Sequence, residues 1–121
     1  GGVDALEATD LNGSEPSDEH PILLADWIQR DGLKCLKVKL RGTDAAWDYA
    51  RMVRVGRIGF ANGVRWLSAD FNCTVKDPAY VNAITDRLLA LAAAAGAVAS
   101  CSAAANTSVI RARGISGTKP L

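Results

Sequence analysis

The chain has 121 residues, 49% of them hydrophobic and 22% charged, with a formal net charge of +1. That length suits one small domain or part of a larger one, and the composition allows a buried core. The near-neutral charge argues against a nucleic-acid or anionic membrane partner, and three scattered cysteines, Cys35, Cys73 and Cys101, with a single histidine, His20, and no C-x-x-C pair argue against zinc and for free thiols in a reducing compartment.

No basic region followed by an apolar run opens the chain, and residues 88–99 are too few and too alanine-rich to span a bilayer. The expected location is the cytoplasm. The start at Gly1 rather than at a methionine suggests a sequence cut from something longer.

Residues 1–20 are polar and rich in turn formers (LNGSEPSDEHP) and are expected to form a loop segment. Pro21 is expected to open a short helix, with His20 or Glu19 near its cap, Leu24, Trp27 and Ile28 on one apolar face, and Gly32 as its C-terminal stop. A strand follows over about 33–40. There Leu36, Val38 and Leu40 alternate with Lys37 and Lys39, so the lysines share the face opposite the aliphatics.

Thr43 and Asp44 suit the N-cap of a helix over about 44–60, with an apolar face of Ala46, Tyr49, Ala50, Val53, Gly56 and Phe60 and a solvated stripe of Arg51, Arg54 and Arg57. Asn62-Gly63 marks a turn and 66–71 a second strand. Asp77-Pro78 then starts a third helix to about 91, with Val81, Ile84, Leu88 and Leu91 as its stripe. The three tryptophans, Trp27, Trp47 and Trp66, are expected in core or interlayer packing, and Cys35 in small buried packing.

The order α-β-α-β-α makes the class α/β, with the two strands parallel and adjacent. Two parallel strands with flanking helices do not close a sheet on both faces, so the chain reads as a piece of a larger α/β domain. Beyond Leu91 the character changes. Nine alanines fall within residues 92–105 and no strand pattern follows, only Val109 and Ile110. Residues 92–121 are therefore expected to be an aberrant or disordered tail, as after a shifted reading frame, and the DNA beyond the codon for Leu91 would discriminate.

In α/β sheets, sites form at the carboxyl ends of strands. Lys37 and Lys39 lie near that end of the first strand, Asp70 and Asn72 at that end of the second. Neighbouring strands lie roughly 4.8 Å apart, so two amines, a carboxylate and an amide would meet at one rim. A carboxylate with an amide nearby suits Mg²⁺, and a lysine beside another cation is a candidate general base. The bland alternative is a wet, edge-protecting lysine pair and an ordinary turn after the second strand.

With GLKCLKVKLRG followed by RVGRIGFANGVRWLSADFNCTVKDPAYVNAITDRL, the chain resembles the mandelate racemase/muconate lactonizing enzyme branch of the enolase superfamily over about residues 20–91. The resemblance rests on K-x-K at one strand end and D-x-N at the next. It implies that residues 21–91 are part of a TIM-like (β/α) barrel, and that the parent carries a capping domain. It further implies Lys39 as the base that takes a proton α to a carboxylate, Lys37 as its tuning partner touching the substrate carboxylate, Asp70 as the first Mg²⁺ ligand and Asn72 as a hydrogen-bonding support of the cofactor site.

The implied parent is a racemase, cycloisomerase or acid-sugar dehydratase acting on a small carboxylate or acid sugar, with homo-oligomerisation left open. The family's two further acidic ligands and its later acid/base residues have no counterpart here, so this chain alone is expected to be inactive. The alternative is a non-catalytic α/β fragment or interaction module that keeps these residues only by descent.

Overall fold

Leu36, Val38 and Leu40 are buried, while Cys35, Lys37 and Lys39 between them are exposed, so the first strand is one-sided. The structure is a computed structural model that describes residues 5–95, 98–104 and 107–113, the last two segments by their backbone. Its elements are α1 (Leu24–Asp31), β1 (Cys35–Lys39), α2 (Ala45–Ala61), β2 (Trp66–Asp70), α3 (Pro78–Ala94), β3 (Val98–Ala104) and β4 (Thr107–Arg113), after a single 3-10 turn at Ala8–Asp10. The class is α/β, as the alternation of periodicities implies.

β1 and β2 pair in parallel, with Leu36 opposite Leu67, Lys37 opposite Ser68 and Lys39 opposite Asp70. The inward residues of both strands, Leu36, Val38, Leu67 and Ala69, join Leu40 and Phe71 just beyond the strand ends. They form one core with Leu24 and Ile28 of α1, Met52 and Val55 of α2, and Val81 and Ile84 of α3. Burying each of the larger side chains contributes about 1.5–3 kcal/mol relative to exposure, and this set holds the helices on one face of the sheet. The other face carries Cys35, Lys37, Lys39, Trp66, Ser68 and Asp70, none of them in the buried core.

Local chemistry explains the helix ends. The Asp44 carboxylate accepts from the Trp47 N–H at 3.0 Å and starts α2, and the Asp77 carboxylate accepts from the Ala79 N–H at 2.9 Å with Pro78 at the first helical position of α3. Gly32 ends α1 at φ 61°, a left-handed conformation that costs glycine nothing, and the Leu33 N–H closes the turn on the Ile28 carbonyl. The start of α1 differs from expectation. Its N-cap is Leu23, without a side-chain cap, so Pro21, His20 and Glu19 precede the helix. The N-terminal segment is also tied down more firmly than its polarity suggests. Leu6 enters the core, and Arg54 bonds Glu7 and Asp10, each at 2.8 Å.

The buried face of α2 differs from the one anticipated except at Gly56. Asp48, Met52, Val55, Gly56 and Gly59 face inward, while Ala46 and Ala50 are exposed and Tyr49, Val53 and Phe60 are half-buried. Close approach decides this. A Cβ at Gly59 would stand 3.1 Å from Leu36 Cδ1 and one at Gly56 3.2 Å from Leu67 Cδ1, so the two glycines let the helix lie tight on the sheet. The tryptophans are all half-buried. Trp47 lies under the Arg41 guanidinium at 4.0 Å, and Trp27 has the Arg30 guanidinium over its ring at 4.3 Å, with His20 in turn 3.0 Å from Arg30. Cys35 is exposed rather than packed, because its face of β1 carries no helix.

The largest departure lies after α3. Where no strand was expected, β3 and β4 form an antiparallel pair, and β4 pairs antiparallel with β2, giving the order β1-β2-β4-β3. The segment VASCSAA lacks the large alternating residues by which strands are recognised. Its pairing comes from backbone hydrogen bonding to β4, which in turn covers the otherwise bare edge of β2. The strand beside β2 thus runs opposite to the one a (β/α) barrel would place there.

Candidate functional site

The parallel register brings the carboxyl ends of β1 and β2 to one rim. The Leu40 N–H donates to the Asp70 carbonyl at 2.8 Å, extending the ladder by one residue past Lys39. Lys39 and Asp70 are direct partners across the strands, and partners in register point to the same face. Lys37, one pleat back, reaches forward, with its Nζ 3.3 Å from Asp70 Oδ2. Three of the four anticipated side chains, Lys37, Lys39 and Asp70, therefore share the open face.

Asp70 has both carboxylate oxygens engaged. Oδ1 accepts from the Asn72 backbone N–H at 2.9 Å and Oδ2 faces the Lys37 ammonium. The Asn72 N–H foremost, then the Lys37 hydrogen bond and the positive charges of Lys37 and Lys39, hold this carboxyl below its ordinary pKa. Because the folded value is depressed, the contribution to stability is present above the unfolded pKa and is lost as pH falls through the folded one. The Lys37 side chain is 60% exposed, so the ion pair adds little stability. Its measurable signature is the titration: Lys37→Ala is expected to raise the Asp70 midpoint, followed by NMR of the side-chain carboxyl carbon. A midpoint unmoved by that change would show that the pair does not form in solution.

Asn72 is placed differently from the other three. Its backbone sits at φ 53° and that of Cys73 at φ 59°, the left-handed region that asparagine tolerates better than most residues. Its amide turns away from the open face and donates to the Leu40 carbonyl at 2.9 Å. Asn72 thus supports the rim by hydrogen bonding, tying the loop after β2 to the end of β1. Thr74 adds to the tie by sharing its one hydroxyl proton between the Arg41 carbonyl at 2.7 Å and the Phe71 carbonyl at 2.6 Å.

Asp48 was not anticipated. It is fully buried, and its carboxylate accepts from the Arg41 N–H at 2.8 Å, the Gly42 N–H at 2.9 Å and the Tyr80 hydroxyl at 2.7 Å. Burial, followed by the hydrogen bond to Asp48, pushes the Tyr80 phenol up to about 12. The signal was available in the spacing. Asp48, Met52, Val55, Gly56 and Gly59 fall at i, i+4, i+7, i+8 and i+11, one helix face with a carboxylate at its head. A charged residue on such a face requires buried partners.

The donor set does not by itself fit a magnesium ion. Among the described residues no three His, Cys, Asp or Glu side chains cluster, and the one rim carboxylate is occupied by an ammonium and a backbone N–H. Mg²⁺ asks for near-octahedral oxygen coordination. Among the described residues no helix is long and apolar enough to cross a membrane. Comparison with family models, with curated proteins and with solved structures finds no match for this chain.

Proposed function

We propose that this chain carries two β-α units of a TIM-like barrel of the enolase-superfamily kind, whose complete form takes a proton α to a carboxylate. The observation that supports the reading most is the rim. Lys37, Lys39 and Asp70 stand together on the open face at the carboxyl ends of two adjacent parallel strands, with Lys37 Nζ 3.3 Å from Asp70 Oδ2. Lys39 is assigned as the base, Lys37 as its partner toward the substrate carboxylate and Asp70 as the first of several magnesium ligands, the others belonging to strands beyond these units. Asn72 is assigned to hold the rim through the Leu40 carbonyl. The substrate class is a small carboxylate or acid sugar, and the setting is cytoplasmic. The 121-residue chain alone is inactive in this reading, because one carboxylate does not hold the ion.

A second reading is favoured by the antiparallel β4. It occupies the edge of β2 where a barrel continues in parallel, so the sheet serves a non-catalytic α/β module that retains the rim by descent. Deuterium uptake α to the carboxylate separates the two. A panel of acid sugars in heavy water with Mg²⁺ is expected to exchange in a chain completed after Leu91 by the remaining barrel strands and preceded by a capping domain. The 121-residue chain is expected to show none. Failure of the completed chain to exchange any member would favour the non-catalytic module.

A further inference from the structure

We infer that Asp48 is the positioning residue of the rim: acting through two consecutive peptide groups, it fixes Asn72 and so the N–H that Asn72 gives to Asp70. The geometry is specific. The peptide joining Leu40 to Arg41 gives its N–H to Asp48 Oδ1 at 2.8 Å, and its carbonyl accepts from Asn72 Nδ2 at 2.9 Å. The next peptide, joining Arg41 to Gly42, gives its N–H to Asp48 Oδ2 at 2.9 Å, and its carbonyl accepts from Thr74 Oγ1 at 2.7 Å. One carboxylate thus orients two peptide planes, and both planes present their carbonyls to the loop after β2.

A buried anion on the N–H side of a peptide also polarises its carbonyl, which strengthens the two acceptors that hold Asn72 and Thr74. Gly42 permits the arrangement with φ 73°, since a Cβ there would run into the Thr74 hydroxyl and come within 3.2 Å of the Phe71 carbonyl. Tyr80 completes the clasp from α3, donating to Asp48 Oδ2 at 2.7 Å. The chain of contacts runs from Asp48 to the two peptides, to Asn72, and from the Asn72 N–H to Asp70 Oδ1 at 2.9 Å. No direct contact between Asp48 and Asp70 is involved.

The inference rests on the proposed function only for its catalytic meaning; what it predicts is how firmly the loop carrying Asn72 and Thr74 is held in this chain. Asp48→Asn keeps the shape but cannot accept from both peptides and Tyr80 at once. The backbone amides of Asn72, which donates to Asp70 Oδ1, and of Thr74, which donates to the Phe71 carbonyl, are expected to exchange with solvent at least about tenfold faster.

Asp44→Asn is the control. It weakens the N-cap of the same helix, and it is expected to leave the exchange of the Asn72 and Thr74 amides in place. Should Asp48→Asn not fold, Asn72→Gly carries the test, since glycine accepts φ 53° and only the amide tether to Leu40 is lost. The same loss of amide protection at residues 72 and 74, relative to the intrinsic rates of each sequence, is expected. Amides at 72 and 74 that stay as protected as in wild type in a folded Asp48→Asn, or in Asn72→Gly, overturn the inference. Neither readout uses turnover, so absence of α-proton exchange in a completed barrel would sink the catalytic reading and leave this one standing.

Discussion

Phe71→Ala is expected to destabilise the fold more than any other single truncation considered, by about 3–5 kcal/mol. Phe71 has no solvent-exposed surface and is the largest side chain so buried. It stands one residue past β2, where the strand turns into the loop that carries Asn72 and Thr74. Its ring meets Tyr80 edge-on with centroids 6.0 Å apart, which adds a geometric preference to the area it buries. Truncation leaves a cavity beside Tyr80, in a core already closely packed.

Domains of this size are stable by roughly 5–15 kcal/mol, with small ones at the lower end, so the loss takes most of the margin. At ~4 °C per kcal/mol the unfolding midpoint is expected to fall by ~12–20 °C. Circular dichroism melting of wild type and variant measures it. A midpoint within a few degrees of wild type would mean that the core is not packed around Phe71 as described.

Much of the frame was legible in the chain. The alternation in LKVKL fixed which residues of β1 face the helices, and Asp44 and Asp77-Pro78 marked the starts of α2 and α3, because these signals are local. The parallel pairing of β1 with β2 followed from the helix between them. What escaped was set by contacts distant in sequence. The inward face of α2 was anticipated only at Gly56; it turned also on Gly59, whose lack of a side chain against Leu36 leaves no hydrophobic mark in a periodicity. β3 is built mainly from alanine and serine, and it pairs with β4, which lies along the edge of β2.

At the rim the positions of Lys37, Lys39 and Asp70 were readable from strand parity, but their relation was not. The two amines were expected to crowd each other, whereas Lys37 leans instead on Asp70. Asp48 was hidden by a rule of thumb, that charged helix positions face water. The rule fails here because two peptide N–H groups and a phenol supply what water would.

Lys39→Ala, in a chain completed after Leu91 and capped at its front, is expected to abolish α-proton exchange from the face of the substrate that Lys39 serves. The expectation rests on position. Lys39 is the last residue of β1 and the register partner of Asp70, so its amine rises from the carboxyl rim beside the carboxylate assigned to the metal. Lys37, lower on the strand, already has its ammonium on Asp70 Oδ2. Of the two lysines, Lys39 is therefore the one without a side-chain ion pair among the described residues, and under the proposed function it is the one that meets a substrate proton.

Removing a positioned general base costs typically about 10²–10⁴-fold, and alanine offers nothing to replace the amine. Deuterium incorporation from heavy water, resolved by face with a chiral acid-sugar substrate, reads that loss directly. Asp70→Asn is the contrasting variant. It is expected to raise the Mg²⁺ concentration needed for exchange while leaving the choice of face unchanged. A Lys39→Ala protein that exchanges both faces at the parent rate would reduce the lysine pair to a solvated strand face, with Lys37 an ordinary surface partner of Asp70 and the sheet a scaffold without chemistry of its own.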